Sequence, residues 1–476
     1  MSDKRRIFEN GILPTVRIAG RDERWPILDR MAHHGVPGVG VAVIEGGEVA
    51  WAGGYGVLDK RRNDRVDGDT IFMGASSSKP VTALLVMQMV ERGLLSLDVP
   101  VNTYLKRWQI PENEFTRQAP VTLRNMLNHT AGLTINGWPV TPPGRPLPTV
   151  FDLLEGTRPF VPDPGPNEFV LPPVRVNKLP GVSRRYSGGG FLLSQMAIED
   201  VTGRPFDVLA DELIFQPLGM TRTTFQSNPL ADRFTKNIAT GHGPDGEPLP
   251  GRWYVSAEMG AGGIFTSAAD YARFHLGFRD AWLGKKGAIL RQDLARAMAT
   301  RGATGEFGIG WRALGEGANL RINHGGSNGG YQSENESFLE SGQGAMVFTN
   351  AVAGLFLFYE VLNGAADAYG WPDYLLPPKR IVPVAKEDLY RYEGEYGIVS
   401  GIEHPVLKIW SEDGVLKSQV PGLRMGVTTM YLDDNGKLFN QVYPFDATVT
   451  YGADGRVEDY VVYEGQEEVL RAIRKL

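Results

Sequence analysis

Ser76 and Lys79 are the residues whose types and spacing most directly suggest chemistry. They lie in GASSSKPVTALLVMQMVERG, residues 74–93, where three serines and a lysine precede an almost wholly apolar run. Pro80 fits only in a first helical turn, so the run predicts a buried helix that begins near Ser76 and ends at Gly93. A side chain at such a start lies beside unpaired backbone N–H groups and the positive end of the helix dipole. Lys79, one turn further on, can reach the Ser76 oxygen, which places the pair as a nucleophile and its proton acceptor or electrostatic partner.

Two further positions carry groups that could complete such a site. Tyr186 lies in PGVSRRYSGGGFLLSQM, on a predicted turn before a helix, and His324 begins the glycine-rich stretch HGGSNGG. Glycines there, Gly325 and Gly326 among them, would let a substrate backbone approach closely and would expose N–H groups. Each signal alone has a bland alternative: a serine cap with a solvated lysine, a packed tyrosine and a satisfied histidine.

Two competing catalytic patterns are weaker. GGSNG satisfies G-x-S-x-G with Ser327 as the apparent nucleophile, but that motif requires a strand, a sharp turn and then a helix. The following YQSENESFLESGQGAMVF predicts strand, turn and strand instead. The seven histidines are scattered, with no H-E-x-x-H motif, and the chain has no cysteine. We therefore expect no metal centre, no cofactor and no thiolate nucleophile.

The order and spacing of the three motifs resemble the serine β-lactamase and penicillin-binding-protein superfamily. S-x-x-K corresponds to residues 76–79, Tyr-x-Asn to residues 186–188, and Lys-Thr-Gly or His-x-Gly to residues 324–326. Shorter matches are LNHTAGL, QPLGMTRTTF, GAGGIFTSAADYARF and FGIGW, and the resemblance spans roughly residues 25–370. Within the superfamily, the chain looks closer to class C β-lactamases, D-aminopeptidases and family VIII esterases.

The resemblance implies a role for each matched residue. Ser76 would attack a carbonyl carbon and form an acyl-enzyme, and Lys79 and Tyr186 would share the general-base work. His324 would orient this network and the substrate. The backbone N–H groups of Ser76 and Ser327 would form the oxyanion hole, where losing one donor typically costs about 10²–10³ in kcat.

Gly188 departs from the superfamily pattern. It stands where the lactam- and peptide-recognising relatives have an asparagine whose side chain contacts the amide of the substrate. The departure weakens the expectation of β-lactam and peptide recognition more than that of acylation. Together with the histidine in the third motif, as in family VIII esterases, it favours ester substrates.

The leading hypothesis is accordingly a serine hydrolase that cleaves a small-molecule ester, with amide or weak β-lactam cleavage as a further activity. The alternatives are a D-aminopeptidase or amidase, an acyltransferase in which an alcohol or amine intercepts the same acyl-enzyme, and a non-catalytic binding homologue. The natural substrate and the oligomeric state stay open, a homo-oligomer included.

Composition and charge limit the classes of binding partner and the cellular location that we expect. A net charge of −6 from 49 basic and 55 acidic residues gives no reason to expect nucleic acid or an anionic membrane as a partner. No stretch of 18 apolar residues is present, and the N-terminal residues lack the apolar run of a signal peptide. We therefore expect a cytoplasmic protein.

The elements predicted around these motifs define an α+β fold. Residues 1–375 are expected to form a β-lactamase/transpeptidase-like domain, an antiparallel sheet flanked by helices plus a helical region, which includes a hairpin at Gly46-Gly47. A proline-rich linker covers residues 376–387. Residues 388–476 alternate short β-type runs with D-G and N-G turns, which predicts a small antiparallel, lipocalin-like barrel. A proline-rich segment from Thr134 to Pro180 is expected to shape the pocket, with Trp138 in its lining.

Overall fold

The computed structural model describes residues 3–157, 171–226, 228–400, 406–421, 426–464 and 467–475. The chain divides into two compact units. The larger unit comprises Pro37–Gly243 and Glu247–Gly354. The smaller unit comprises Met1–Val36, Pro244–Gly246 and Leu355–Leu476. Domain boundaries at residues 375 and 387 stay a prediction.

Helices are numbered in chain order over the described residues. The α-helices α1 to α13 are Asp3–Asn10, Ile27–His34, Ser78–Glu91, Glu114–Gln118, Leu123–Leu127, Val150–Glu155, Gly188–Thr202, Phe206–Ala210, Asp232–Thr235, Met259–Gly262, Ala268–Leu283, Gln292–Met298 and Phe358–Tyr369. A π-helical turn, Asp211–Phe215, follows α8 directly.

Strands are numbered in the same way. The strands β1 to β18 are Gly38–Glu45, Glu48–Gly56, Ile71–Ala75, Ile264–Ser267, Arg312–Leu314, Arg321–Asn323, Gly326–Asn328, Tyr331–Phe338, Gly344–Thr349, Ile381–Val382, Gly394–Ser400, Val406–Glu412, Val415–Gln419, Thr428–Asp433, Leu438–Phe439, Asp446–Tyr451, Val457–Glu464 and Glu467–Arg474.

An antiparallel sheet forms the scaffold of the larger unit. Its order is β2-β1-β9-β8-β6-β5, and the short β7 pairs with β8 beside β6. The predicted hairpin is confirmed, because β1 and β2 join through Gly46 and Gly47, both with positive φ. A separate antiparallel pair, β3 with β4, leads into the helical region.

Helix α3 is the central helix of the larger unit, as predicted from its apolar sequence. Every residue from Ser78 to Met89 is buried, so the helix presents no solvent face over three turns. Its first turn carries Lys79, which is 2% exposed. A polar side chain held in such surroundings requires a hydrogen-bonding partner at the helix start.

Two predicted helix boundaries were wrong. The sequence VTLRNMLNHTAGL, residues 121–133, predicts a short helix that ends at Gly132, but α5 ends at Leu127, because His129 adopts a left-handed backbone with φ of 63°. The sequence also predicts a helix from about Ala351 to Tyr369, but Val352–Phe356 is a 3₁₀ turn and α13 begins only at Phe358.

The smaller unit contains the predicted C-terminal barrel. Strands β11 to β18 each pair with the next, and β18 pairs back with β11, which closes an eight-stranded antiparallel barrel among the described residues. This up-and-down order is that of lipocalin-like barrels. Both parts of the predicted α+β architecture are therefore confirmed. No helix in the described ranges is long and apolar enough to cross a membrane.

Candidate active site

Ser76 lies in the tight turn between the end of β3 and the start of α3. Ala75, immediately before it, has φ of 45°, a left-handed conformation that side chains other than glycine rarely adopt. The Ser78 hydroxyl holds this turn, because it donates to the Ala75 carbonyl at 2.7 Å and accepts from the Ile264 N–H at 2.9 Å. The turn is thereby tied to β4.

Ser77 is tied to the main sheet instead. Its hydroxyl accepts a hydrogen bond from Asn335 Nδ2 at 3.2 Å and lies 3.2 Å from the Ser333 hydroxyl. The Tyr271 hydroxyl donates to the Ser77 carbonyl at 2.8 Å. The second and third serines therefore hold the turn, and the first carries the hydroxyl that faces the cavity.

Lys79 is the hydrogen-bonding partner of Ser76. Lys79 Nζ lies 2.9 Å from Ser76 Oγ and donates to the Ala261 carbonyl at 2.7 Å. Burial lowers the pKa of Lys79 to about 7, and the nearby Glu258 opposes that shift. A neutral amine is therefore accessible near neutral pH, and it can accept a proton from Ser76.

Tyr186 completes the contact network around these two residues. Lys79 Nζ lies 4.9 Å from the centre of the Tyr186 ring, and the ring stacks on His129 with centroids 4.2 Å apart. Burial raises the pKa of the Tyr186 hydroxyl, and its hydrogen bond with Ser76 only partly offsets this. The phenol is therefore protonated near neutral pH and acts as a donor.

His324 lies at the edge of this network. Its ring centre is 6.3 Å from that of Tyr186. His324 Nδ1 donates to the Gly325 carbonyl at 2.7 Å, since a carbonyl can only accept, which leaves Nε2 without a proton. Burial, reinforced by Lys79, lowers the pKa of His324 to about 3. The imidazole is therefore neutral, and Nε2 is a buried acceptor with no hydrogen-bond partner among the described residues.

Gly326 lets β7 lie close to Gly74, just before the turn that carries Ser76. A Cβ at this position would lie 1.9 Å from the Gly74 carbonyl oxygen, which leaves no space for any side chain. At Gly325 a Cβ would meet Glu334 Oε2 at 2.3 Å. Both glycines therefore serve close approach of backbone within the protein, and the next residue, Ser327, reaches the same cavity as Ser76.

The absence of a side chain at Gly188 also has a specific steric reason. A Cβ at this position would lie 2.7 Å from the Asn136 carbonyl oxygen and 3.4 Å from Gly137 Cα. The Gly188 N–H donates to that same carbonyl at 2.7 Å. The backbone at residues 136–137 therefore occupies the space in which a side chain at 188 would begin. Asn136 itself lines the cavity.

A cavity of about 220 Å³ lies in front of Ser76. It brings together four of the predicted site residues; its lining comprises Ala75, Ser76, Lys79, Asn136, Gly137, Trp138, Pro139, Val140, Gly188, Ser256, Glu258, Ala261, Gly262, Ser327, Asn328 and Gly329. Trp138 lies in the lining, as the sequence predicts. Within the proline-rich segment from Thr134 to Pro180, residues 158–170 lie outside the described residues.

Sequence reasoning missed Glu258, the one acidic residue among the described residues of this lining. It lies immediately before α10 and is 6% exposed. Burial raises its pKa to about 7, and Lys79 opposes that shift. The available signal was a single carboxylate two residues before GAGGIFTSAADYARF, a segment that the family resemblance singled out. In the described part of the chain, no group of three or more His, Asp or Glu side chains is arranged to hold a metal ion.

The fold agrees with comparisons to known proteins. The Beta-lactamase family model matches residues 27–358, and the chain belongs to this family. Penicillin-binding protein 4 of Amycolatopsis lactamdurans is 28% identical over 393 residues, which cover 79% of this chain and 97% of that protein. Esterase EstB of Burkholderia gladioli is 31% identical over 222 residues, which cover 46% of this chain and 53% of the esterase.

Other relatives match over a smaller part of their length. Unguisins hydrolase ungD of Aspergillus violaceofuscus is 27% identical over 258 residues, which cover 50% of this chain and 41% of that hydrolase. The chain thus spans about two fifths of ungD and about half of EstB. These named relatives include a hydrolase and an esterase.

Solved structures support the fold over nearly the whole chain. The octameric penicillin-binding protein homologue from Pyrococcus abyssi is 22% identical, with a TM-score of 0.59, and the match covers 94% of this chain and 98% of that one. D-amino acid amidase from Ochrobactrum anthropi SV3 is also 22% identical with a TM-score of 0.59, over 78% of this chain and 99% of the amidase. At this level of identity the likeness shows the fold.

Proposed function

We propose that this chain is a serine hydrolase that cleaves carboxylic ester bonds through an acyl-enzyme on Ser76. The observation that carries the proposal is the 2.9 Å contact between Lys79 Nζ and Ser76 Oγ at a buried helix start, where the pKa of Lys79 is lowered to about 7. A serine hydroxyl is a weak nucleophile unless an adjacent base removes its proton. Near neutral pH this lysine can be that base.

The proton path follows from the two neighbours of Ser76. Ser76 Oγ attacks the carbonyl carbon of the ester while its proton passes to neutral Lys79 Nζ. The tetrahedral intermediate then collapses, the bond to the leaving oxygen breaks, and the leaving alcohol takes a proton from Lys79 or through the Tyr186 hydroxyl. Water repeats the sequence on the acyl-enzyme and releases the acid, which restores Ser76 and the original protonation states.

The negative charge of the intermediate needs hydrogen-bond donors. Ser76, in the turn before α3, and Ser327, in β7, line the same cavity, and their backbone N–H groups are the donors that we assign to the oxyanion hole. Gly326 is essential to this arrangement, since it allows β7 to lie against the Gly74 carbonyl.

Gly326→Ala is expected to lower kcat for p-nitrophenyl butyrate by about 10²–10³, because the added methyl group would push β7 and the Ser327 N–H away from Ser76. The matched control is Gly329→Ala, the same change three residues along, where a Cβ would lie 3.5 Å from the Tyr254 ring. The measurement is kcat for both purified variants with thermal unfolding as the folding check. Equal losses in two folded variants would contradict the assigned role of Gly326.

Ester substrates are favoured over lactams and peptides by the surroundings of Gly188. No asparagine side chain can begin at this position, since the backbone at residues 136–137 fills the space. The similarity to esterase EstB supports the same preference. A reactive ester also needs little help for its leaving group, which suits a site whose polar groups are concentrated around Ser76.

A fluorophosphonate probe tests the proposal directly, because it reacts with activated serines as an ester analogue. We expect stoichiometric labelling, loss of p-nitrophenyl butyrate turnover, and a single labelled peptide that carries the probe on Ser76. Tandem mass spectrometry of the digest locates it. A label on Ser327, or ester turnover that persists in fully labelled protein, would contradict the proposal.

An amidase or aminopeptidase and an acyltransferase would form the same acyl-enzyme. Matched p-nitrophenyl esters and p-nitroanilides of one acid distinguish ester from amide cleavage by their kcat/KM values. Addition of an alcohol or amine acceptor distinguishes transfer from hydrolysis by the appearance of a new ester or amide at the expense of free acid.

A further inference from the structure

Glu258 is a buried carboxylate in the wall of the cavity that contains Ser76. It is 6% exposed, and among the described lining residues Lys79 and Glu258 are the ones with acidic or basic side chains. The neighbouring Tyr186 and the two histidines, His129 and His324, are neutral near pH 7 by the direction of their pKa shifts. Above its pKa of about 7, Glu258 is therefore the one source of negative charge that the described wall offers to a ligand.

The carboxylate has no ion-pair partner within 4 Å in the part of the chain that the structure describes. The cation that acts on it is Lys79, whose ammonium hydrogens point to Ser76 and to the Ala261 carbonyl. Burial disfavours the charged carboxylate, and the nearby Ser256 hydroxyl and the backbone N–H of Glu258 offset this only in part, so a cation would stabilise the charged form further. A carboxylate maintained at this place is thus suited to an external cation.

We propose that Glu258 binds an ammonium group in the acyl part of the substrate, which makes aminoacyl esters or amides the substrate class of this site. The inference rests on the function proposed above and specifies its substrate. An ammonium group carries three N–H donors and forms a charge-assisted hydrogen bond with a carboxylate. Trp138 lines the same cavity, and an indole ring is the aromatic surface that most favours a cation.

Binding of such a cation would also assist the base. In the empty site the negative charge of Glu258 favours the protonated form of Lys79 and so works against proton removal from Ser76. A substrate ammonium neutralises Glu258 and places a second positive charge near Lys79. Both effects favour the neutral amine, so a cationic substrate would promote its own acylation.

The first test measures binding without turnover. Ser76→Ala protein is titrated with alaninamide and with isobutyramide, which have nearly the same shape but differ by the ammonium group, and calorimetry or NMR gives each Kd. We expect alaninamide, in one or both enantiomers, to bind about tenfold more tightly or better, the effect of one charge-assisted hydrogen bond. The double variant Ser76→Ala/Glu258→Gln should lose this preference, and Ser76→Ala/Glu258→Asp should retain part of it.

The second test measures turnover by wild type and Glu258→Gln with phenyl alaninate and phenyl isobutyrate. The expected result is a fall of about tenfold or more in the ratio of their kcat/KM values, because only the alaninate contains the ammonium group. A fall by the same factor for both esters, together with a shifted pH profile, would show that Glu258 acts only through Lys79 and would overturn the proposal. Equal binding of the two amides would overturn it as well.

The two tests separate this inference from the proposed function. If wild-type protein hydrolyses neither ester but the amides still differ in binding, the hydrolase proposal fails and the cation site stands. If both esters are hydrolysed and neither binding nor the kcat/KM ratio depends on Glu258, the cation site fails alone. Circular dichroism and thermal unfolding of each variant confirm that the comparison is between folded proteins.

Discussion

Ser76→Ala is expected to lower kcat for p-nitrophenyl butyrate by about 10⁴–10⁶, the range seen when the nucleophile of a serine hydrolase is removed. The reason is that the acyl-enzyme can no longer form, while the Ser327 N–H and the cavity remain. The measurement is initial rates under saturating substrate for wild type and variant, purified in parallel.

Ser77→Ala is the matched control for this loss. It removes a neighbouring hydroxyl whose partners are Ser333 and Asn335, so it should lower the free energy of unfolding by about 1–3 kcal/mol and retain most of the activity. Ser327→Ala keeps its backbone N–H and should lose far less activity than Ser76→Ala. Full activity in Ser76→Ala, or an inactive Ser327→Ala with an active Ser76→Ala, would refute the assignment of the nucleophile.

The value of kcat/KM is expected to rise with pH and to level off above about 7, the pKa to which burial lowers Lys79. Below that pH the ammonium form dominates and cannot accept a proton, so the rate should fall about tenfold for each pH unit. Glu258, His129, His324 and Tyr186 surround this lysine. The two histidines have pKa values lowered by burial and that of Tyr186 is raised, so none of these three should titrate near 7.

Lys79→Met and Lys79→Arg test this assignment together. Methionine removes the base and arginine keeps a positive charge that does not dissociate, so both should lower kcat/KM by about 10²–10⁴ and abolish the inflection near 7. The pH profile between 5 and 9 is the measurement. An inflection that persists in both variants would assign it to Glu258 instead and would exclude Lys79 as the base.

The candidate catalytic residues could be predicted from sequence. Each motif combines a reactive side chain with neighbouring residues, such as proline or glycine, that indicate the local backbone structure. Pro80 locates the start of α3, so Ser76 and Lys79 share one turn wherever the helix lies in the fold. The barrel was likewise predictable, because alternating strands and D-G or N-G turns are local patterns. Contacts between distant segments have no such signal.

Asn136 and Glu258 illustrate what local patterns leave out. Asn136 reaches Gly188 from a proline-rich segment 52 residues away, and only the folded backbone shows that the missing side chain at 188 is a steric requirement. In the sequence, Glu258 looks like an ordinary acidic residue, and only the folded structure shows that it is buried near Lys79. The left-handed backbone at His129 similarly ended α5 against the helical pattern of its sequence.

The turn that holds Ser76 is already fixed before substrate binds, and this affects the activation entropy of the reaction. Ser77 and Ser78 bind it to two different sheets, and Ala75 is held in an unfavourable conformation between them. The loss of conformational entropy needed to aim the nucleophile therefore occurs once, during folding, and not again in each catalytic cycle. The activation entropy of acylation should accordingly be dominated by the ordering of the substrate, with little contribution from the protein.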